Sequence, residues 1–487
     1  MQFLPRRLNC NKKIERSIEI FKVVGYLPRE IQSYQHLKLS WEERAMEENA
    51  SRDDQAARGG LGKRHLVFAI ICLINFTIWL DEGVFAALTP YWAKELNLTP
   101  AQIGTGSAAY LLGYFPVLFL AGILSDRFGA RRMLFICVIG CSILSAAMLW
   151  VHDYWTLFIR NILFGIFFGF LWAPCNKLLT SWMPAVERTR FAAIWFSSCM
   201  VSFVVAAPLA LMMAEKAIWQ DAFLLVTALG IPATLLLWFC TTEKPEEMKT
   251  ISQGELNFIY EGTERRSLDS DFSWGKLGQI LRQRSVLFMI VATCLATTPT
   301  WLIATWGFYQ LINLYKIEGS SVSLYISLGY MVTVIYGFFH GWVFKTIFGG
   351  YCRPALAAGP VISGIGFLIA AYTSNPIVIA FALFAAGTLC NPFFWGTVNA
   401  YWGAVAKPEF SGTLNGISAA GQVIGGYIIL SLSGGWVQPV EVAGIRALDT
   451  VWLVGGIVFL LTVIPIYLAK EVRISDEAPS TAPAAAH

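Results

Sequence analysis

The chain has 487 residues, of which 56% are hydrophobic and only 14% carry a charge, with a net charge of +4 and a mean hydropathy of +0.56. Soluble domains carry roughly 25% charged residues. The charge deficit and the repeated apolar runs of about 20 residues exclude an ordinary soluble protein and indicate a helical membrane protein, with the lipid bilayer as a partner. The basic residues are scattered among the polar segments and form no continuous basic face, so we expect no nucleic-acid partner.

Residues 1–65 are polar and charged, and no apolar segment typical of a signal peptide follows a basic start. We interpret them as a cytoplasmic tail that is partly disordered over 46–62. Met46 begins a stretch typical of an ordinary N-terminus, so we hypothesise that translation starts there and that residues 1–45 are an upstream extension.

Twelve apolar runs follow, each long enough to cross a bilayer as a helix. They are predicted near 66–90, 101–125, 132–151, 155–180, 191–213, 221–241, 286–310, 322–345, 353–372, 376–398, 411–434 and 450–470. The sequence thus predicts an all-α membrane protein. Its expected parts are a first six-helix bundle over 66–242, a cytoplasmic loop over 243–285, a second bundle over 286–470 and a cytoplasmic tail over 471–487.

The distribution of Lys and Arg orients the chain. Several basic residues fall in alternate short loops and in the loop 243–285, whereas the intervening loops hold mostly single cations. Because cytoplasmic loops collect Lys and Arg, both termini are expected in the cytoplasm of a multi-pass protein of the cell membrane. Six spans, a charged loop and six more spans is the plan of a transporter built from parallel repeats. We expect a monomer.

A short charged turn separates the second and third runs. It reads Gly122-Ile-Leu-Ser-Asp126-Arg127-Phe-Gly129-Ala-Arg131-Arg132. This pattern resembles the signature between helices 2 and 3 of the major facilitator superfamily, where it latches the two bundles in one conformation. The resemblance implies the twelve-helix fold of that superfamily and a conformational gate formed by Gly122, Asp126, Arg127, Gly129, Arg131 and Arg132. A related stretch with Gly349, Gly350 and Arg353 occupies the corresponding place in the second half, without the acidic residue.

Other stretches resemble the anion:cation symporter family within that superfamily. They are Leu96–Gly104, with Thr99 as a candidate N-cap before Pro100, Ser181–Arg188, Lys244–Glu255 and the glycine-rich Gly412–Gly426. The resemblance covers roughly residues 66–470. It implies a secondary transporter of small organic anions, without a cofactor and without enzymatic activity. The sequence also contains no nucleophile–base pair, metal cluster or phosphate-binding loop.

Two acids lie inside the first span. An ionisable residue within a membrane segment is costly and is a functional candidate by default. Burial favours the uncharged form of a carboxyl group, so Asp81 and Glu82 are predicted to take part in proton coupling. Asp81 matches the acid that the family places in span 1. The chain departs from the family at the next residue, where Glu82 replaces the usual arginine. It also departs in mid-span 4, where Phe167 or Phe168 replaces a glutamate.

The candidate substrate-binding residues are aromatic, amide and basic side chains within the spans that line the central cavity of the superfamily: Asn75, Trp79, Arg160, Trp306 and Asn391. We expect proton symport of a small carboxylate by alternating access. Two adjacent acids without a central cation leave open a proton-coupled exporter of a cationic or neutral molecule. A membrane sensor without transport activity is a third possibility, but neither tail is long enough for a signalling domain.

Overall fold

The computed structural model describes residues 62–184, 187–216, 218–260, 274–405 and 408–474. Residues 1–61 lie outside this part, so the hypothesis about Met46 falls outside the described residues. Among the described residues, twelve helices are long and apolar enough to cross a membrane. Within the described part, the only β-pairing is an isolated bridge between Tyr351 and Arg473. The predicted all-α membrane fold is therefore confirmed.

The twelve helices, numbered here α1 to α12, keep the order and approximate ends that the apolar runs predict. Their bounds are Lys63–Ala87, Pro100–Phe128, Ala130–Trp150, Tyr154–Trp182, Arg190–Lys216, Asp221–Cys240, Arg284–Leu314, Gly319–Thr346, Cys352–Tyr372, Pro376–Trp402, Gly416–Trp436 and Asp449–Leu468.

Local sequence explains how several of these helices begin and bend. The Thr99 side chain accepts a hydrogen bond from the backbone of Gln102, whose side chain accepts one from Thr99 in return, and Pro100 opens α2. This confirms the predicted N-cap. Helix α4 breaks into two segments, Tyr154–Phe168 and Trp172–Trp182. Helix α7 widens into a π-helical turn over Ile303–Gly307, a feature often found at functional sites.

The helices pack as two six-helix halves. In the first half α1 packs on α5 and α6, α2 on α4, and α3 on α6. In the second half α7 packs on α11 and α12, α8 on α10, and α9 on α10 and α12. The two halves meet mainly where α2 contacts α11 and α5 contacts α8. The predicted arrangement of two six-helix bundles is confirmed.

The contacts between the halves lie at one end, which we call the closed end. A Cβ added at Gly104 of α2 would lie 2.5 Å from the carbonyl oxygen of Leu430 on α11, so the two backbones touch there. Phe203 of α5 stacks on Tyr330 of α8 with ring centroids 5.2 Å apart. The opposite end, which carries the turn around Asp126, is called the Asp126 face.

Among the described residues, Gly62 and Thr250–Tyr260 belong to a separate compact unit. Its described part contains the short helix Gln253–Tyr260, and the Glu255 side chain lies beside Gly62.

Candidate functional site: two buried acids on the first helix

Asp81 and Glu82 are neighbours on α1, and both are buried, with 2% and 6% of their surface exposed. Successive residues of an α-helix are rotated by about 100°. The two carboxyl groups therefore face different surroundings: Asp81 faces the interior of the first half, and Glu82 faces the boundary between the halves. Buried charged groups need partners, and the two acids differ sharply in the partners that they have.

Asp81 belongs to a buried polar group that we call the Asp81 cluster: Asp81, Ser145 and Arg160. The Ser145 hydroxyl donates to Asp81 Oδ1 at 2.5 Å, and Arg160 Nη2 donates to Asp81 Oδ2 at 3.2 Å. This cluster joins α1, α3 and α4, and Ser145 also donates to the Phe223 carbonyl of α6 at 3.2 Å. An ion pair with both side chains removed from solvent is strongly coupled, because little water screens it.

Arg160 is held from every side within the first half. Its Nε donates to the Leu144 carbonyl at 2.9 Å and its Nη1 to Asn161 Oδ1 at 3.0 Å. The guanidinium also lies 4.7 Å from the centre of the Phe164 ring. The sequence predicts Arg160 as a substrate-binding residue. The structure places its charge against Asp81, with only 5% of the residue exposed.

Glu82 lines a small cavity between the halves, which we call the Glu82 pocket. Its other walls come from α1, the short helix Thr89–Glu95, α2, α7 and α11, and the polar side chains among them are Thr89, Ser107, Tyr110, Trp301 and Thr305. Among the described residues that line the pocket, Glu82 alone has an ionisable acidic or basic side chain. The π-helical turn of α7 supplies Ala304 and Thr305 to this wall. A ligand in this pocket would touch both halves at once.

Two lining groups of the Glu82 pocket are buried without a hydrogen-bond partner among the described residues: the Ser107 hydroxyl and the Trp301 indole N–H. The Tyr110 hydroxyl lies beside the Glu82 carboxyl group and interacts with it. An unpaired buried donor costs about 1–3 kcal/mol. A bound water or a polar ligand group in the cavity would supply the partners for these donors.

The remaining predicted substrate-binding residues are scattered. Asn75 donates to the Trp195 carbonyl at 3.0 Å and to the Ser198 hydroxyl at 2.9 Å, which ties α1 to α5. Trp306 is fully buried and donates to the Ser433 hydroxyl at 2.8 Å, which ties α7 to α11. The structure gives both side chains packing contacts within one half.

Trp79 lies in an aromatic cluster with Phe168, Trp172 and Phe203. Phe168 is one of the two positions where the family resemblance implies a glutamate, and its ring also contacts Tyr110. Asn391 is the second residue of the helical segment Cys390–Val405 and is partly exposed. Neither Trp79 nor Asn391 lines the Glu82 pocket.

Sequence analysis missed Ser107 and Tyr110 as site residues. They are three positions apart on α2, so they share one face of that helix. A polar pair at helical spacing within an apolar run could have drawn attention to them. Trp301 and Thr305 are four positions apart on α7 and also share a helix face, but nothing in the sequence indicates that the two faces meet.

The turn predicted to form a gate lies at the Asp126 face. Asp126 Oδ1 accepts a hydrogen bond from Lys177 Nζ of α4 at 2.9 Å, with 78% of the Asp126 side chain exposed. Arg127 and Arg132 are exposed. Gly129 has φ +93°, a backbone conformation that favours glycine, and a Cβ added at Gly122 would meet no atom within 4 Å.

The turn is fastened to the end of α6. The Glu243 carboxylate accepts hydrogen bonds from the backbone N–H of Ala130 at 2.6 Å and of Arg131 at 2.9 Å, and so caps α3. The Arg131 guanidinium lies 4.8 Å from the centre of the Trp238 ring and donates to the Trp238 carbonyl.

The second half repeats this arrangement. The backbone N–H of Arg353, at the start of α9, donates to Glu471 Oε1 at 3.0 Å, and its guanidinium donates to the Ala469 carbonyl. The predicted internal repeat therefore includes an acid after the sixth helix of each half, a feature that the turn sequence alone did not indicate.

Known proteins with similar sequences belong to the same class of fold. The family model described as Major Facilitator Superfamily matches residues 71–430. The hexuronate transporter of Bacillus subtilis (strain 168) is 26% identical over 286 residues, covering 57% of this chain and 65% of that protein. The D-galactonate transporter of Escherichia coli O6:H1 is 26% identical over 200 residues, covering 41% of this chain and 46% of that protein. The matched regions thus span less than two thirds of these relatives.

A solved D-xylose–proton symporter has the same fold, with a TM-score of 0.65 and 16% identity, covering 83% of this chain and 97% of that chain. At this identity the likeness concerns the fold alone. The family model covers well over half of the chain, and its residues include both buried acids and the turn at Asp126. This chain belongs to the major facilitator superfamily.

Proposed function

We propose that the protein is a secondary transporter that moves a small organic anion across a membrane together with protons. Two observations support transport over catalysis: the superfamily assignment and the names of the relatives, which are transporters of organic anions. The proposal of proton coupling rests on the Asp81 cluster. A buried carboxyl group beside a buried guanidinium can be either ionised and paired or protonated and unpaired.

In the first state Asp81 is ionised and holds Arg160 at 3.2 Å. In the second state Asp81 binds a proton, and the attraction that holds the guanidinium in place is lost. Arg160 crosses from α4 to α1, so release of the pair changes how these helices are held together. A local change of charge can shift the equilibrium between two conformations of a protein. Proton binding to Asp81 would in this way favour a different packing of the first half.

Transport requires that the two halves open alternately at each end. The halves touch at the closed end through α2 and α11 and through α5 and α8, and the Ser327 hydroxyl donates to the Val204 carbonyl across this contact at 2.7 Å. Because these contacts between the halves lie at the closed end, we infer that this conformation is open toward the Asp126 face.

The orientation in the membrane is part of the proposal. The bias of Lys and Arg supports an Asp126 face in the cytoplasm, with both termini on that side and the protein in the cell membrane. The conformation would then be inward-open. The six-plus-six helix plan requires no second copy to complete the pathway, which supports a monomer.

One observation favours a second candidate function, the exchange of protons for a cationic or neutral molecule. Among the described residues that line the Glu82 pocket, the one ionisable acidic or basic side chain is an acid, and the cation Arg160 is bound to Asp81. An anion would meet no positive side chain in this pocket.

A dye experiment separates the two candidates. Purified protein is reconstituted in liposomes that contain a pH-sensitive dye, and carboxylates or amines are added outside. Lumenal acidification on addition of a carboxylate supports anion–proton symport. Alkalinisation on addition of an amine supports proton exchange, and the absence of any pH change with either panel would contradict proton coupling.

A further inference from the structure

We propose that Glu82 is a proton-operated switch for the contact between the two halves. It carries a proton while the closed end is shut, and it is ionised when that end opens. The inference rests on the proposed transport function, because it describes how a second acid enters the same conformational cycle. It differs from the role of Asp81, whose partners all lie within the first half.

The Glu82 pocket adjoins the contacts of the closed end. Leu430 of α11 lines the pocket, and its carbonyl oxygen lies 2.5 Å from where a Cβ at Gly104 of α2 would stand. Ser107 follows Gly104 by about one helical turn and also lines the pocket. Separation of α2 from α11 would therefore open the pocket wall, and closure of this contact encloses Glu82.

The closed pocket offers little to an ionised carboxylate. It has room for about one water molecule. A carboxylate has about four acceptor positions, whereas a protonated carboxyl group has fewer and also donates. Burial without enough partners penalises the charged form, so the closed conformation favours a proton on Glu82. An open pocket would admit water and remove this penalty.

The other titratable groups around Glu82 do not replace its charge. Arg160 is bound to Asp81 at 3.2 Å, so the two together add little net charge. In the described part of the chain, the remaining titratable groups that face Glu82 are Tyr110 of α2 and Tyr330 of α8. Phenols are neutral at physiological pH. Helices α7 and α11 contribute no acidic or basic side chain to the described lining.

One water molecule would complete the closed pocket around the protonated acid. The Ser107 hydroxyl from the first half and the Trp301 indole N–H from the second half are buried without partners among the described residues. A single water can accept a hydrogen bond from each and donate to the Glu82 carboxyl oxygen. This water would connect the two halves without any charge at their boundary.

Proton binding and closure are therefore linked. Glu82 takes its proton from water while the closed end is open, and closure removes the acid from that water. Acidic pH should favour the closed end shut, and alkaline pH should favour its opening. One linked proton shifts the equilibrium by at most about tenfold for each pH unit.

Distances between two spin labels test the switch without any substrate. Lys94→Cys and Val442→Cys place the labels at exposed positions on different halves. The full-length protein is measured in lipid nanodiscs at about pH 5 and about pH 9, on either side of the range in which many buried carboxyl groups titrate. We expect the longer distances to be populated about tenfold more at the alkaline pH.

Variants at Glu82 assign the response. Glu82→Gln resembles the protonated acid and cannot ionise, so it should keep the short distances at both pH values. Glu82→Met is a second neutral variant with the same expected result, should Glu82→Gln fail to fold. Glu82→Asp keeps an acid and should retain a pH response. Glu246→Gln, an exposed glutamate, is the matched control and should respond as the wild type does.

A variant of the neighbouring pair separates this switch from the proposed coupling through Asp81. Asp81→Asn combined with Arg160→Gln removes both charges of that pair and leaves Glu82 in place. This double variant should keep the pH response of the label distance while losing uphill accumulation of substrate.

Four results would overturn the inference. They are an unchanged distance distribution in the wild type, opening at acidic instead of alkaline pH, a full pH response in both neutral Glu82 variants, and loss of the response in the Asp81 and Arg160 double variant. None of them decides whether the protein carries an organic anion, because the dye experiment measures that separately.

Discussion

The contact between α2 and α11 at the closed end can be tested by adding one methyl group. Gly104→Ala places a Cβ where the carbonyl oxygen of Leu430 lies 2.5 Å away and the backbone nitrogen of Gly434 lies 3.4 Å away. Both neighbours are backbone atoms of the other half, so no side chain can rotate to make room. The two helices must separate locally for the substitution to fit.

The size of the effect follows from the cost of overpacking, which is about 1–3 kcal/mol for an extra methyl in a tight contact. This cost applies to the conformation in which the halves touch here and is absent when they part. The equilibrium should therefore shift toward opening of the closed end by roughly 5- to 150-fold. Alanine also favours a helix more than glycine does, so the helix itself should not be weakened.

Spin labels at the closed end measure the shift directly. Lys94→Cys in the first half and Val442→Cys in the second half place labels at exposed positions. The cysteines in the described residues are buried or partly buried, which limits background labelling. We expect Gly104→Ala to move the distance distribution toward longer values. Gly337→Ala on α8 is the control, because a Cβ there would meet no atom within 4 Å.

An unchanged distance distribution in folded Gly104→Ala would refute the argument. It would mean that the halves relax without opening, or that α2 and α11 do not form a conformational contact. The same distance shift in Gly337→Ala would also refute it, since no contact would then explain the change.

Two further predictions concern the Asp126 face. Asp126→Asn should change the unfolding free energy by no more than about 1 kcal/mol, because the pair with Lys177 is largely exposed. The substitution should slow turnover more than it weakens substrate binding. Unchanged turnover in a transport assay would show that the turn only sets topology. Glu243→Gln should lower the unfolding free energy by about 1.5–3 kcal/mol through its weakened bonds to the start of α3, seen as a lower midpoint in thermal unfolding. The exposed Glu246→Gln is its control, and equal midpoints for the two variants would contradict the capping role.

Much of the fold could be predicted because each membrane helix can be recognised from its own stretch of sequence. A long apolar run identifies a span whatever surrounds it, and the cap formed by Thr99 and Gln102 lies within four consecutive residues. The turn from Gly122 to Arg132 was recognisable for the same reason. Its anchor Glu243 lies more than a hundred residues away and was not identified.

The candidate site was harder to predict because its contacts join distant residues. Asp81 and Glu82 stood out as charges in an apolar run, yet the run does not reveal which way each side chain faces. The Arg160 partner is 79 residues from Asp81, and only packing of α4 on the first half brings them together. Tyr110 is an ordinary residue in the sequence, and its importance comes from facing Trp301 across the two halves.

The central claim is that Asp81 couples transport to the proton gradient, and uphill uptake tests it most directly. Liposomes with an alkaline lumen are placed in acidic medium with a carboxylate probe that the wild type carries. We predict that the wild type accumulates the probe above its external concentration and that a protonophore abolishes the excess. Asp81→Asn should only equilibrate the probe.

Removing one partner of a buried ion pair can lower the unfolding free energy by about 3–5 kcal/mol, so Asp81→Asn alone could misfold. A second variant therefore serves as a control for folding. Asp81→Asn combined with Arg160→Gln removes both charges and should retain the fold, with exchange but without accumulation. Full accumulation by either variant under the same gradient would contradict the account.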